Sequence, residues 1–365
     1  MKKQLSLDYT LLIIVLLLLA YGLIVLYSAS SVQSFKNFGN TTYYITHQLL
    51  YGAIVGLIAM AVLSKVDYHV WQKYLPWLIF ISLFLLALVK IPHFGRTFGG
   101  ASRWLDIGGI LFQPAELSKF AIIVYIASWV DKKKQHLNDF YFGLLPSLVI
   151  IGLFALLILV QPDFGTMLVL LILAFSMLVV AGIEWKYFIY GGVLGSLGLY
   201  FLILTESYRL KRLTAFLNPS ADPGGISYQI NQALLAIGSG GWWGYGYGLS
   251  RQKHSYLPEV MTDSIFAVLA EELGFIRIMI LFALFLLFAL KGVQIARRAP
   301  DIFGKMMAFG LTAWIVIQAS INIGAMLKIL PLTGIPLPFF SYGSTALIMN
   351  LAAMGVLLNI SRYAK

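Results

Sequence analysis

Asp263 is the residue of this chain with the clearest potential for chemistry. It ends the polar string 258–263 directly before an apolar run, with Thr262 beside it and Glu259 four residues earlier. A carboxylate held at such a boundary can act as a general base and take a proton from a hydroxyl group. The same position also suits a helix N-cap, whose side chain accepts a backbone hydrogen bond. The residues alone leave both interpretations open.

A polar, glycine-rich loop, residues 206–263, leads to this carboxylate. Long loops in compact proteins are usually functional or disordered. Its basic stripe includes Arg209 and Arg212, which suit either lipid headgroups or a substrate diphosphate. A short amphipathic helix is predicted over 227–237, and the glycines of 238–246 would let the backbone approach a ligand closely. The further candidates for substrate binding in this loop are Gln229, Gln232, Lys253 and Glu259.

An ionisable pair interrupts a predicted span. Glu116 and Lys119 share one helix face because they are three residues apart, and Arg103 precedes them in the sequence. Charged residues inside a span indicate a functional site by default. The alternative is an internal ion pair that only locks two helices together.

Two turns supply the remaining candidates. Asp163 follows Gln161-Pro162, where it could cap the next helix or act as a ligand for a cation or substrate, and capping is the favoured interpretation. The segment 331–345 is rich in proline, glycine and hydroxyl groups. Its Ser341 and Ser344 could line a pocket or cap the last helix.

Composition indicates that these groups belong to a membrane protein. Hydrophobic residues make up 60% of the chain and charged residues 11%, whereas soluble proteins have about 25% charged residues. The chain has no cysteine, which excludes disulfides, thiolate metal sites and cysteine nucleophiles. Its net charge of +11 is spread over the loops between apolar segments. This distribution favours anionic lipid headgroups over nucleic acid as the counterpart.

The expected fold class is an all-α polytopic membrane protein that forms a single domain over residues 1–365. Ten segments have close to the ~20 apolar residues that a membrane-spanning helix needs. The first follows Lys2 and Lys3 but is longer than the apolar core of a cleaved signal peptide, so we interpret it as a retained anchor. The ten predicted spans cover 9–30, 45–64, 71–91, 113–130, 141–160, 164–182, 186–205, 264–290, 303–327 and 343–361.

Lysine and arginine are distributed so as to orient these spans. Clusters such as 132–134 and 297–298 fall on one side of the predicted topology, and the short loops on the other side hold few cations. Cytoplasmic loops carry the excess of positive charge in membrane proteins. Both termini are therefore expected in the cytoplasm, and the large loop 206–263, between helices 7 and 8, is expected on the outer side.

Several polar strings recur in the order typical of one known family. These strings are 99–119, 161–166, 208–263, 271–274 and 331–344. Together they resemble the SEDS proteins, membrane glycosyltransferases that polymerise lipid II into the glycan strands of peptidoglycan. The strings 209–213, 221–223, 250–259 and 330–338 favour the cell-division branch of that family over the elongation branch.

The resemblance implies a ten-helix fold with a large extracytoplasmic loop and an essential aspartate at Asp263. Met261 and Ser264 replace a histidine and a phenylalanine of the family's usual stretch, and Arg277 stands where relatives have a small or neutral residue. The implied location is the cytoplasmic membrane at the division septum. The implied partners are lipid II, undecaprenyl-diphosphate-linked glycan, a class B penicillin-binding protein and other divisome membrane proteins, with no nucleic acid.

Sugar transfer from a lipid diphosphate accounts for the residue types. A base must take the proton of the acceptor hydroxyl, and a carboxylate such as Asp263 serves this role in inverting reactions. The departing diphosphate requires positive charge, for which Arg103 and Lys119 are candidates unless they pair structurally. Arg209 and Arg212 would steer or hold the anionic lipid. The expected cofactor is a divalent cation, Mg²⁺ or Mn²⁺, held partly by the substrate, with no organic cofactor.

Two other functions are compatible with the residues. A flippase for the lipid-linked precursor would explain charges within spans, but transporters concentrate polar groups near the midplane and often have repeated halves. Here the polar groups lie mostly at the outer edge, and no halves repeat. A non-enzymatic scaffold of the division machinery is the third possibility. Purified protein supplied with lipid II distinguishes the three by strand synthesis, translocation alone, or neither.

Overall fold

The computed structural model describes residues 7–91, 93–98, 101–108, 110–134, 137, 139–204, 207–217 and 225–364. Most of these residues are helical. The helices of more than ten residues, in chain order, are α1 (Tyr9–Phe38), α2 (Tyr43–Leu63), α3 (Leu75–Leu88), α4 (Pro114–Lys133), α5 (Phe140–Val160), α6 (Phe164–Val180), α7 (Trp185–Leu204), α8 (Ser207–Leu217), α9 (Ile226–Ser239), α10 (Ile265–Arg298), α11 (Ile302–Met326) and α12 (Ser344–Ser361). Helix α2 contains a π-helical segment, Gln48–Ile54, and α5 begins with another, Phe140–Leu144.

Six helices within the described residues are long and apolar enough to cross a membrane: α1, α2, α5, α10, α11 and α12. Helices α3 and α6 are apolar but shorter. Every segment predicted to span contains one of these eight helices, or α4 or α7. The positions of the helices therefore agree with the sequence pattern, whereas the count of ten spans stays a prediction.

Helices α11 and α12 form the enclosed centre of the molecule. Helix α11 packs against α4, α6 and α10, and α12 packs against α2. Small residues allow these close contacts, because a Cβ atom added at Gly56 would lie 2.6 Å from Leu351 Cδ1. Peripheral helices expose large apolar side chains instead, as at Phe80 and Phe84 of α3, which are 61% and 54% exposed. An exposed apolar surface of this kind is expected to face lipid.

A small antiparallel sheet lies between α3 and α4, so the expectation of an all-α fold is corrected here. Its strands are β1 (Gly95–Phe98), β2 (Ala101–Ile107) and β3 (Ile110–Phe112), in the order β1-β2-β3. Burial of Ala101 and Leu105 fixes the orientation of β2, because side chains alternate between the two faces of a strand. Gly108, with φ of 62°, makes the turn toward β3.

Helix α10 is broken at Gly274, whose φ of 72° and ψ of 176° are not helical. Residues 265–272, before the break, are all buried. The part after the break exposes Ile280 and Leu286, at 56% and 60%. Such a break leaves carbonyl groups of one turn and N–H groups of the next without helical partners, and these groups must be paired elsewhere.

The loop 240–246 pairs with the broken helix. The backbone N–H of Tyr245 donates to the carbonyl of Glu271 at 3.0 Å, and the N–H of Phe275 donates to the carbonyl of Gly241 at 2.9 Å. The loop thus acts as a short backbone clasp across the break. It fixes the buried first part of α10, which follows Asp263 directly.

Two glycines of 238–246, Gly240 and Gly244, are required by this contact. A Cβ atom at Gly244 would lie 2.2 Å from the carbonyl oxygen of Glu272, so only glycine fits there. Arg277 also completes the clasp, since its Nη1 donates to the carbonyl of Trp243 at 2.8 Å. The unusual arginine of α10 therefore has a structural partner in the loop.

Candidate active site around Asp263

Asp263 lies immediately before α10 and is 9% exposed. The N-cap of α10 is Ser264, so the N-cap interpretation of Asp263 is wrong. Its carboxylate instead contacts Gln229 of α9, whose Nε2 lies 3.5 Å from Oδ1 and 3.4 Å from Oδ2. The hydroxyl of Thr262 lies 3.4 Å from Oδ1. These long contacts leave the carboxylate oxygens available to a substrate.

The backbone around Asp263 is held by α11 and by the segment before α12. Asn322 Nδ2 donates to the carbonyl oxygens of Asp263 at 2.8 Å and of Ile335 at 2.7 Å. Ser341 Oγ donates to the carbonyl of Thr262. Rigid support from neighbouring elements is what a positioned catalytic group needs.

The surroundings of Asp263 raise its pKa from the usual 3.8 to about 6. Burial is the largest cause, and the negative charge of Glu259 adds to it, whereas Arg212 and Gln229 act in the opposite direction. A carboxylate with this pKa is mostly ionised at pH 7. It is also a stronger base than an ordinary aspartate, which suits proton abstraction.

Arg212 of α8 is the cation whose positive charge acts on the carboxylate of Asp263. Its Nη1 donates to the carbonyl of Leu332 at 2.8 Å. Burial lowers the pKa of Arg212 to about 10, while the charges of Asp263 and Asp163 act to raise it and that of Arg103 to lower it. The guanidinium therefore remains fully charged at neutral pH.

A glycine lies between the two charges. Gly334 has φ of 70°, and a Cβ atom added to it would lie 3.6 Å from Arg212 Nη2 and 3.9 Å from Asp263 Oδ2. The left-handed backbone favours glycine at this position. The segment before α12 thus passes between carboxylate and guanidinium without a side chain between them.

Asp163 and Arg103 form a second charged pair near Arg212. Asp163 Oδ1 accepts from the N–H of Thr166 at 3.2 Å, so Asp163 caps α6 as expected. Its Oδ2 lies 3.9 Å from Arg103 Nε, and Arg103 also donates to the carbonyl of Pro162. Strand β2 therefore presents Arg103 beside the start of α6, within electrostatic range of Arg212.

Glu116 and Lys119 face the protein interior. Lys119 Nζ lies 2.8 Å from Glu116 Oε1 and 2.7 Å from Gln318 Oε1, and both residues of the pair are only 1% exposed. The ammonium also lies over the ring of Trp314, 4.9 Å from its centroid. These contacts fit the structural alternative: the ion pair lies within α4, and Lys119 connects it to Gln318 and Trp314 of α11.

Lys253 is likewise engaged internally. Its Nζ lies 2.9 Å from Glu272 Oε1 and 3.0 Å from Ser28 Oγ, and the lysine is 5% exposed. Glu271 beside it accepts from Ser250 Oγ at 2.5 Å. These contacts connect the loop that ends in Asp263 to α1 and α10. The role in substrate binding that the sequence suggests for Lys253 stays a prediction.

The other candidate residues differ in their exposure and in their hydrogen-bond partners. Glu259 is exposed, and its Oε2 accepts from Thr262 Oγ1 at 2.6 Å. Gln232 is half-buried on α9. Ser344 begins α12, and its hydroxyl is buried with no hydrogen-bond partner among the described residues. The side chain of Arg209 lies outside the described residues.

Asn322 and Gln318 are residues that the sequence interpretation missed. They lie one helical turn apart on α11, and Gln318 Nε2 donates to the carbonyl of Pro336 at 3.0 Å. Their amide side chains within the apolar run 303–327 could have identified them from the sequence, because polar residues inside a membrane span usually have a function. Both hold the segment before α12 against α11.

The site offers few ligands for a metal ion. The described residues contain no group of three or more histidine, cysteine, aspartate or glutamate side chains that could hold one. Mg²⁺ prefers several oxygen ligands and often binds through substrate phosphates. The residues present do not fit a resident metal held by protein alone, so the divalent cation stays a prediction.

Comparison with known proteins finds one family model, described as a cell cycle protein (FtsW, RodA, SpoVE), that matches residues 9–365. The chain is 43% identical over 363 residues to stage V sporulation protein E of Bacillus subtilis (strain 168), covering 100% of this chain and 99% of the relative. It is 40% identical over 361 residues to a probable peptidoglycan glycosyltransferase FtsW of Geobacter sp. (strain M18), covering 99% and 98%.

Solved structures show the same fold. One, described under "Structural coordination of polymerization and crosslinking by a peptidoglycan synthase complex", aligns with a TM-score of 0.79 and 26% identity over 98% of both chains. The Thermus thermophilus rod shape determining protein RodA aligns with a TM-score of 0.72 and 27% identity, covering 98% of this chain and 97% of RodA.

Proposed function

The chain belongs to the FtsW, RodA and SpoVE family, and we propose that it polymerises lipid II with Asp263 as the general base. Peptidoglycan glycosyltransferase activity follows from the 40% identity to FtsW, which covers 99% of the chain. The observation that carries the role of Asp263 is its burial at the end of the loop, with a pKa raised to about 6 and a guanidinium nearby. No other carboxylate in the described part of the site combines these features.

The proposed reaction is a single displacement at the anomeric carbon of the donor sugar. Asp263 takes the proton of the acceptor hydroxyl while the oxygen forms the new bond to that carbon. The bond from the carbon to the diphosphate oxygen breaks with its electron pair, so the diphosphate leaves as an anion and the configuration inverts. No acid is required, because the leaving group is already a stable anion.

Arg212 and Arg103 are placed to stabilise this anion. Both act electrostatically on the same region, and Arg103 is only partly buried, with a side-chain exposure of 25%. Arginine presents several N–H donors in a planar fork that matches phosphate oxygens. Positive charge aimed at developing negative charge lowers the barrier most in a site shielded from water.

The membrane arrangement follows from the helices and the charges. We infer ten spans, both termini in the cytoplasm, and the loop that carries α8 and α9 on the outer side of the cytoplasmic membrane. Support comes from the helices found in all ten predicted segments and from the positive-inside rule. Glycan strands made at the outer face of the membrane need no transport across it.

The proposed partner is a class B penicillin-binding protein, a transpeptidase that crosslinks the strands at the septum. Support comes from the TM-score of 0.79 to a structure described as part of a peptidoglycan synthase complex. The 40% identity to FtsW supports the division role. The flippase alternative loses its main support, since the charges of Glu116, Lys119 and Glu272 are all paired inside the protein.

Strand synthesis by purified protein tests the base directly. Asp263→Asn should insert and fold like the wild type but form no glycan polymer from fluorescent lipid II, because amide nitrogen and oxygen cannot accept the proton. Asp163→Glu, which keeps the carboxylate beside Arg103, serves as the control for general disturbance of the site. Polymer formation by Asp263→Asn at the wild-type rate would eliminate the assignment.

A further inference from the structure

A second concave surface adjoins the Asp263 loop on the side of α1. The cleft has a volume of about 260 Å³ and is lined by Gln33 and Lys36 of α1 and by residues 257–261 of the loop, with Lys253 and Ser255 completing it. Pockets that hold a whole small molecule usually have about 300–1,000 Å³. A cleft of this size suits one part of a larger substrate.

The lining combines an apolar wall with polar groups at its edge. Leu257 and Val260 are buried at 3% and 6% exposure, and Met261 lies beside them. Gln33 and Glu259 contribute an amide and a carboxylate. Sugar rings have apolar C–H faces and a rim of hydroxyl groups, so a lining of this kind matches a carbohydrate ring.

The backbone of this wall is strained. Ser255 and Glu259 have φ of 72° and 52°, in the left-handed region that favours glycine. The wall is nevertheless ordered by backbone hydrogen bonds, because the N–H groups of Thr262 and Ser264 donate to the carbonyl of Glu259 at 3.2 Å and 3.1 Å. Strain of this kind concentrates at ligand sites, where surrounding contacts impose it.

The cleft is linked to the proposed base but does not include it. Thr262 Oγ1 lies 2.6 Å from Glu259 Oε2 and 3.4 Å from Asp263 Oδ1. Glu259 lines the cleft, whereas Asp263 does not. A substrate that presents its hydroxyl to Asp263 would therefore place a neighbouring unit, and not the reacting ring, in the cleft.

Lys36 gives the cleft its positive charge. It is exposed near the end of α1 and has no ion-pair partner among the described residues. The ammonium of Lys253 is different, because it already pairs with Glu272. An anionic group in the cleft would therefore be met by Lys36, at the rim and away from the arginines that face Asp263.

We propose that this cleft binds the sugar unit adjacent to the reacting ring, and that Lys36 pairs with a carboxylate of the peptide which that unit carries. The inference rests on the proposed function, since it assumes a peptide-bearing glycan substrate. The diphosphate is the other anion of that substrate, and the experiment separates the two sources.

The first experiment compares Lys36→Met with wild type in nanodiscs, on lipid II carrying free peptide carboxylates and on lipid II whose peptide carboxylates are amidated. Lys36→Met should raise Kd and KM about two- to fivefold for the acidic substrate, the range expected for an exposed ion pair, and leave kcat unchanged. The amidated substrate should bind both proteins equally. Lys90→Met, an exposed lysine outside the cleft, is the matched control.

The second experiment fills the cleft. Gln33→Trp should raise KM at least fivefold for both substrates, because the indole would occupy the space of the sugar ring. Phe35→Trp adds bulk to an exposed position of α1 that does not line the cleft and should change nothing. Gln33→Trp without effect on Kd would overturn the proposed site.

Two further outcomes would also overturn the proposal. One is an equal loss of affinity for both substrates in Lys36→Met, which would assign the lysine to the diphosphate. The other is an unchanged affinity of Lys36→Met for both substrates. Binding is measured separately from strand synthesis. Wild-type protein that binds lipid II without making strands would refute the proposed function, while the Kd differences would still decide the cleft.

Discussion

Asp263→Asn should stabilise the folded protein at neutral pH, even though it removes activity. Burial, with help from Glu259, raises the pKa of Asp263 from 3.8 to about 6. Each pKa unit corresponds to about 1.36 kcal/mol, so a rise of about 2 units corresponds to roughly 3 kcal/mol by which folding disfavours the ionised form. An amide of the same shape does not carry this cost.

The sign of the pH dependence follows from the two states. In the unfolded chain this carboxyl has the ordinary pKa of 3.8, and in the folded chain it has a pKa of about 6. Above about pH 6 the group is ionised in both states, so the folded protein bears the full cost. The cost decreases as the pH falls below 6 and is absent below about pH 4, where both states are protonated. The advantage of asparagine should therefore be large at pH 8 and small at pH 4.5.

Thermal unfolding of the purified protein in detergent measures this effect. For a chain of this length, roughly 3 kcal/mol corresponds to a rise of about 4 °C in the unfolding midpoint. Midpoints are compared at pH 8 and pH 4.5 with identical scan rates. Asp163→Asn is the control: it keeps a capping oxygen but loses the ion pair with Arg103 and the acceptor for Thr166 Oγ1, and it should lower the midpoint at pH 8. A midpoint for Asp263→Asn that is unchanged or lower at pH 8, or a gain at pH 4.5 as large as that at pH 8, would refute the reasoning.

Two further pairs of substitutions test the charges around the site and in the buried ion pair of α4. Glu259→Gln should move the acidic limb of the pH–rate profile to lower pH, and Arg212→Met should move it to higher pH, because the first removes a negative and the second a positive neighbour of the base. Shifts of the same sign would contradict the assigned electrostatics. Lys119→Met should destabilise the protein by about 3–5 kcal/mol, because it leaves the Glu116 carboxylate buried without its cation. Adding Glu116→Gln should recover most of that loss in the unfolding midpoint, and no recovery would contradict the ion-pair interpretation.

The helices could be predicted from the sequence because apolar runs of about 20 residues leave little choice in a membrane. The sheet could not be predicted in the same way. Its strands Gly95–Phe98 and Ile110–Phe112 have only four and three residues, too short for a clear alternation of polar and apolar side chains. The pairing of β1 with β2 is also irregular between Arg96 and Thr97, which obscures any pattern further.

The candidate site was predictable in its residue types but not in its pairings. Asp263 and Arg212 were both identified as chemical candidates from the sequence, and the structure brings them together through the segment at Gly334. Lys119 and Lys253 looked equally suitable for substrate. Both have partners inside the protein, and the partner of Lys119 at Gln318 lies 199 residues away in the chain. Sequence spacing carries no information about contacts of that range.

The contrast between these lysines and Arg212 explains why an arginine faces the proposed base. Burial lowers the pKa of Arg212 from 12.5 to about 10, which still leaves the guanidinium charged at neutral pH. A lysine begins near 10.4, and a decrease of the same size would bring it to about 8, so part of its charge would be lost under working conditions. Lys119 and Lys253, which do not face the base, each have a carboxylate within 2.9 Å. A cation that must stay charged beside the substrate without such a carboxylate contact is therefore better supplied by arginine.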